Sequence, residues 1–323
     1  MTAKAANETL VTVFGGSGFV GRHVVRALAK RGYRLRVATR RPDLAGHLQP
    51  MGAVGQIQAV QANLRYPQSV AAAVAGADAV INLVGILYET GRQSFNAVHA
   101  QGAAEVAGQA KAAGAGRLVH MSALATDPDA ASDYARSKAA AEAAVLETFP
   151  SAVIFRPSVI FGPEDKFFNT FAALARLSPV LPLIGGGKTL FEPVFVGDVA
   201  EAVALAVDGR VRGGIYELGG PEQMSLADVF AYVCEVTERK RLLVPLPFAI
   251  AKVQAAFLQM LPNPLLTIDQ VRLLANDVVV GDAAKAEART LSGLGIKARP
   301  VHSIVPEYLQ RFRRTGEFKF TEA

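Results

Sequence analysis

Val11-Thr12-Val13-Phe14-Gly15-Gly16-Ser17-Gly18-Phe19-Val20-Gly21-Arg22-His23-Val24-Val25 is the stretch whose reading decides the fold. The apolar run Leu10 to Phe14 (LVTVF) reads as a buried strand, and it enters Gly15, Gly18 and Gly21 directly, with Gly16 supplying a second register of the G-x-G-x-x-G pattern. In such a turn one glycine permits the sharp reversal, one lets backbone approach a pyrophosphate, and one lets the following helix pack on the strand. The helix predicted from about Phe19 points unpaired N–H groups and the positive end of its dipole at phosphate. The candidate contacts are therefore Gly15, Gly16, Ser17, Gly18, Phe19, Val20, Gly21 and Arg22. An ordinary glycine turn is the alternative, opposed by the strand before, the amphipathic helix after and the next strand, Arg34 to Thr39 (RLRVAT), arriving on schedule.

The tip of that second strand bears on which dinucleotide fits. A site for NAD(H) usually carries Asp or Glu there to accept from the ribose 2′-hydroxyl. Here the chain reads Ala38-Thr39-Arg40-Arg41-Pro42, with no acid before Asp43. Guanidinium pairs with a 2′-phosphate through charge-assisted hydrogen bonds, so NADP(H) is the expected cofactor and NAD(H) the alternative. Arg40 is the first candidate for that phosphate, with Arg41 and Arg22 as helpers; a merely solvated basic cluster is the competing reading. Asn63-Leu64 follows the third strand, where a polar side chain can meet the adenine edge. Val84-Gly85 follows the fourth, where small residues let ribose and nicotinamide pass. Either is also compatible with a plain turn.

Further apolar strands (IQAVQANL, ADAVINLVG, GRLVHMS, AVIFRP) alternate with alanine-rich helical stretches, one reaching about Gly114 and one starting near Ser132. Unbroken apolar strands separated by helices imply a parallel sheet covered on both faces. The fold class expected is α/β, a Rossmann-type doubly wound parallel sheet, with a smaller, discontinuous α/β C-terminal domain. Residues 8–162 with about 190–221 would form the dinucleotide domain, about 163–189 with 222–310 the smaller one, and 311–323 (RFRRTGEFKFTEA) a basic tail, frayed or acting as a docking strap. EPVFVGDVAEAVALAV and GIYELGG both read as returns to the sheet. With 323 residues, 51% hydrophobic and 19% charged, the chain has ample core, and disorder is excluded over most of it.

The single Cys234 rules out an intramolecular disulfide and fits a reducing compartment. Five histidines at no ligand spacing give no sign of metal. The short polar start, MTAKAANETL, lacks signal or transit character, and no apolar run of membrane-spanning length occurs, so a cytoplasmic location is expected. A net charge of +6 favours anionic partners such as cofactor phosphates, acidic lipid or an acidic protein face; no nucleic-acid-binding motif accompanies it.

Tyr134-Ala-Arg-Ser-Lys138 opens the helix near Ser132, and the i, i+4 spacing sets phenol and ammonium on one face. An adjacent ammonium favours phenolate, which can exchange a proton with a carbonyl or alcohol. Ser122, ending the fifth strand, can hold the substrate oxygen beside it. The glycine pattern, Ser122 and Tyr134-x-x-x-Lys138 together resemble an extended or atypical short-chain dehydrogenase/reductase. Phe155-Arg156-Pro157, Phe161-Gly162-Pro163, Val194 to Ala200 and Tyr216 to Pro221 are similar to landmarks of that superfamily's second half. Within it, INLVGILYE, SVIFGPEDKFFNTFAAL and LLVPLPFAIAKVQAAF resemble the NAD(P)H-binding accessory subunits of respiratory complex I. The resemblance implies Tyr134, Lys138 and Pro157 as cofactor contacts. It also implies a dinucleotide held as a structural element near a membrane, with complex I peripheral-arm subunits or the membrane surface as partners. The missing presequence suggests a bacterial homologue, peripheral on the inner face of the cytoplasmic membrane. The retained Ser122, Tyr134 and Lys138 leave open an active NADP-dependent reductase or epimerase acting on a small-molecule carbonyl, sugar-nucleotide or quinone-like substrate.

From Leu242 to Leu274 the chain is apolar, with Ala249, Val253, Ala256, Phe257 and Met260 at helical spacing. The expectation is a helix that buries this face in its own domain. The sharper alternative is a helix docked on lipid or a partner, for which Arg239-Lys240-Arg241 upstream would suit an anionic surface.

Overall fold

A computed structural model describes residues 4–314 and 316. In chain order, β1 (Leu10–Phe14), α1 (Phe19–Lys30), β2 (Arg34–Thr39), a 3₁₀ stretch Pro42–Met51, β3 (Ile57–Gln61), α2 (Pro67–Val74) and β4 (Ala79–Asn82) form the first half of the sheet. A π-turn at Asn96–Ala100 then leads into α3 (Gln101–Ala112), β5 (Arg117–Met121), α4 (Asp133–Thr148) and β6 (Val153–Pro157). All pairings within the main sheet are parallel, and its seven-stranded order is β11-β6-β5-β4-β1-β2-β3, with β11 (Gly214–Leu218) at the edge beside β6. The order in which strands are added reverses between β1 and β4, which leaves a crevice at the carboxyl ends of those strands.

The two faces carry separate cores. Val24, Val25 and Leu28 of α1 pack with Val199, Val203 and Val207 of α6 (Val196–Val207) against one side. Val70, Val106 and Val145, from α2, α3 and α4, cover the other. Between them lies Thr12, a fully buried polar side chain whose hydroxyl donates to the Ala73 carbonyl (2.9 Å), so no donor is stranded. Glu142 of α4 receives a bidentate pair from Arg156 of β6 (2.9 and 2.6 Å), pinning that helix to the sheet.

After β6 come β7 (Ile160–Phe161), α5 (Phe168–Leu177), β8 (Val180–Ile184), β9 (Leu190–Phe191) and β10 (Val194–Phe195), which runs into α6. Beyond β11 follow β12 (Met224–Ser225), α7 (Leu226–Val236), β13 (Leu242–Leu246), α8 (Phe248–Leu258), α9 (Ile268–Leu273), α10 (Asp282–Ala286) and α11 (Val301–Leu309). Phe161, Phe168, Leu181, Val229, Val233, Val301 and Leu309 form a third core among these elements.

Two expectations change. GIYELGG joins the main sheet, but EPVFV does not: Val194–Phe195 pairs with Ile160–Phe161 as a separate two-stranded piece, because the position beside β6 is already taken by β11. The face anticipated as buried on α8 is turned outward. Ala251 and Ala255 are its fully covered residues, while Val253, Phe257 and Met260 just beyond the helix are 61%, 71% and 81% exposed. The small alanines allow α8 to lie close on α9 through Val271, and no element of the described chain reaches its other side. In the basic tail, Arg311 donates to Asn169 and Arg313 to the Val236 carbonyl, so these residues are seated on α5 and α7; residues 317–323 lie outside the described residues. Among the described residues no helix is long and apolar enough to cross a membrane.

Candidate dinucleotide site

The crevice is built from the turn after β1. Gly15 has φ +78°, and a Cβ there would also lie 3.2 Å from the backbone of Leu83 and Val84 at the end of β4, so both handedness and crowding require glycine. A Cβ on Gly21 would fall 2.2 Å from the Gly15 carbonyl oxygen, which is the close packing of helix on turn anticipated for the last glycine. Gly16 is backed by Val37, Val13 and Val25. A Cβ on Gly18 would meet only the Gly15 oxygen, at 3.3 Å, leaving its other sides open to a ligand. The Gly18 amide closes the turn onto that same oxygen (3.0 Å). No side chain caps α1 and no acid stands in its first turn, so the amides of Phe19, Val20 and Gly21 begin the helix without an internal partner. Ser17 sits across from Thr39 (Oγ to Oγ1, 3.4 Å). An uncapped helix start facing an open glycine fits a pyrophosphate.

The three arginines separate by their partners. Arg41 is spent on Asp43 (Nη2 to Oδ2, 2.9 Å) and Arg22 on Glu164 (3.3 Å), leaving the buried Arg22 Nε unpaired. Arg40 makes no ion pair among the described residues; its guanidinium donates to the neutral Gln93 side chain (2.5 Å). Arg65 reaches the same loop, at the Arg92 carbonyl (3.4 Å). Of the side chains expected to help with a 2′-phosphate, Arg41 and Arg22 are thus already neutralised, and Arg40 alone is not.

Asn63 uses its side-chain oxygen on the Arg65 amide (3.2 Å) and Leu64 packs near Gly102 of α3, an arrangement that stiffens the turn after β3. Val84 donates its amide to Asn82 (3.1 Å). Gly85 lies where a Cβ would come 3.6 Å from both Lys138 Nζ and His99 Nε2, so the tip of β4 and the start of α4 converge there. Pro157 ends β6, its carbonyl accepting from the Leu124 amide (3.0 Å).

Lys138 is almost fully buried and spends one of its three N–H donors, on the Met121 carbonyl (3.0 Å); burial lowers its pKa to about 8, against the pull of Glu142. A buried ammonium with donors to spare beside Gly85 suits ribose hydroxyls. Burial raises Tyr134 to about 12, and Lys138 sits 6.0 Å from the ring centroid without a hydrogen bond to the hydroxyl, so the ammonium does not draw out a phenolate. Ser122 is engaged with Thr126 (3.0 Å), whose own hydroxyl donates to the Ala123 carbonyl.

His99 carries no motif that would mark it in advance. It lies in the π-turn, accepts from the Ile86 amide at Nε2 (3.0 Å) and meets the Ser137 hydroxyl at Nδ1 (2.9 Å). Because Nε2 must accept and Ser137 donates to the Tyr134 carbonyl, the ring carries its proton on Nδ1. Its edge contacts Tyr134, and Phe95 stacks on it. Burial and Lys138 lower it to about 3, and likewise the fully buried His120, whose Nε2 has no partner. Both rings are therefore neutral struts between β4, β5 and α4.

Residues 11–219 match the model of the NAD dependent epimerase/dehydratase family. The chain belongs to this family. Within it, the chain is 37% identical over 321 residues to NADH dehydrogenase [ubiquinone] 1 alpha subcomplex subunit 9, mitochondrial, of Arabidopsis thaliana, covering 95% of this chain and 79% of that protein. The Mus musculus protein of the same name is 33% identical over 314 residues (96% and 82%). Among solved members of the fold, DesIV (dTDP-glucose 4,6-dehydratase) from Streptomyces venezuelae with NAD and TYD bound superposes with a TM-score of 0.70 over 94% of this chain and 96% of that one, at 20% identity. The family is nicotinamide-dinucleotide dependent, which agrees with the glycine turn and the open crevice of this chain.

Proposed function

We propose that this chain is an NADP(H)-loaded accessory subunit docked on respiratory complex I, holding its dinucleotide as a structural element. The observation that carries the reading is the joining, in one chain, of a dinucleotide crevice with a carboxylate-free Arg40 to a helix whose apolar side is left bare. Relatives at 37% and 33% identity are named as subunits of NADH dehydrogenase, which supports the choice of partner. Residues 8–162 with 190–221 serve as the dinucleotide unit. Ile250, Val253 and Phe257 on α8, with Met260, Leu261 and Leu265 after it, offer the docking face. The basic run Arg239-Lys240-Arg241, which precedes β13 and α8, would suit an anionic membrane surface.

Bound NADPH would supply a hydride donor. The amides of Phe19, Val20 and Gly21 would hold its pyrophosphate, Arg40 its 2′-phosphate, and Lys138 and Tyr134 its nicotinamide ribose. A Tyr134 hydroxyl that receives no hydrogen bond from Lys138 and a Ser122 hydroxyl engaged with Thr126 favour holding over turnover. Native co-purification from membranes tests the reading: the chain is expected to migrate with NADH:quinone oxidoreductase activity. A chain that stays wholly apart from that complex contradicts it. If Tyr134→Phe abolished a carbonyl reduction by the purified chain, the reductase reading would replace it.

A further inference from the structure

The start of α4, which carries Tyr134 and Lys138, is not held by its own segment alone. A helix leaves its first N–H groups without internal partners. Here Ser132 serves the Ala135 amide (3.3 Å), while the amides of Asp133 and Tyr134 donate to Asp269 at 2.8 and 3.1 Å. The Ser132 hydroxyl donates to the same carboxylate (2.8 Å), so one side chain from 137 residues further along receives three hydrogen bonds. Its negative charge also faces the positive end of the α4 dipole. Asp269 belongs to α9, whose own start is fixed by a reciprocal Thr267–Gln270 cap (3.0 and 3.2 Å). Arg272, one turn on, lies between Asp133 (3.5 Å) and Asp269 (3.8 Å). Val271 of α9 in turn packs on Ala251 and Ala255 of α8.

We propose that Asp269 is a positioning residue for the nicotinamide half of the dinucleotide site, setting Tyr134 and Lys138 by capping α4 from the α8–α9 pair. The inference rests on the dinucleotide reading above and adds to it a residue outside the crevice. Its consequence is that the nicotinamide half forms only with α9 seated, while the adenosine half, built from the turn after β1 and the tip of β2, does not depend on it.

The test compares two ligands on the full chain: NADPH, which spans both halves, and adenosine 2′,5′-bisphosphate, which reaches only the first. Asp269→Asn is expected to weaken NADPH about tenfold, the scale of a lost helix cap, and to leave the bisphosphate within about twofold. Asp269→Glu, which keeps a carboxylate, should recover most of the loss. Should Asp269→Asn fail to fold, Arg272→Ala carries the same split at about threefold, since it removes a screened ion pair at a part-exposed position. Equal loss of both ligands would mark general destabilisation and overturn the proposal, as would unchanged NADPH binding. A wild-type chain that binds neither ligand would remove the dinucleotide reading itself, a different failure from a wild type that binds both and a variant that does the same.

Discussion

Helices α1 and α8 begin alike and end up opposite. Each opens on phenylalanine, and they run 12 and 11 residues. In α1 the large apolar side chains Val24, Val25 and Leu28 are fully buried, and Arg26 and Lys30 take the outer side. In α8 the covered residues are alanines, while Ile250, Val253 and Phe257 stand in the open. An amphipathic helix finds its cover within its own chain because its polar side tells it which way to turn. A helix that is apolar nearly all round has no such instruction, and where its chain covers only one side the remainder marks an interaction surface.

That contrast can be broken most severely at the α1 turn. Gly21→Val places side-chain carbon 2.2 Å from a backbone oxygen that cannot step aside, and the expected cost is about 3 kcal/mol or more, with loss of dinucleotide binding. Thermal unfolding and NADPH titration read both.

Acid separates the regions next. His99 and His120, both held near 3 by burial, wall the dinucleotide half, whereas residues 242–274 contain no histidine. With folded values depressed below the ordinary 6.5, the unfolded chain binds the extra protons between about pH 6.5 and 3. Stability is therefore lost as pH falls through that window, by about 1.4 kcal/mol per pH unit for each ring. Denaturant unfolding at pH 7, 6 and 5 checks the slope, and His120→Asn should make it shallower.

Arg40→Ala is a smaller perturbation, expected to weaken NADPH about tenfold and leave NADH unchanged, the scale of a charge-assisted hydrogen bond. Parallel titrations with the two dinucleotides measure it. Least visible of all in the isolated chain is Phe257→Ser on α8, which should move unfolding by no more than about 0.5 kcal/mol, because the ring is 71% exposed. Its effect belongs in co-purification with the membrane complex, which it should reduce while Gly21 and its surroundings stay intact.

How much of this was legible follows from the range over which each feature is encoded. Strand and helix positions around the sheet are written in runs of five to fifteen residues, and the glycine turn is contiguous, so both were readable. The competition of Asp43 for Arg41 is local, two places along the chain, and so is visible in the sequence. The engagement of Arg22 by Glu164 is not, since 142 residues separate them. Asp269 has no mark of its own role, because a carboxylate near a helix start reads as that helix's own dipole partner. The outward turn of α8 was hidden for the same reason: spacing identifies a helix face, and only distant chain decides whether anything lies on it.

The most direct test of a resident, 2′-phosphorylated dinucleotide is mass spectrometry of the nucleotide released when the purified chain is denatured. NADP(H) in near-equal amount to protein is the result predicted by an uncapped α1 and an acid-free Arg40. Release of NAD(H) instead would contradict the role given to Arg40, and protein that neither carries nor takes up any dinucleotide would contradict the account as a whole.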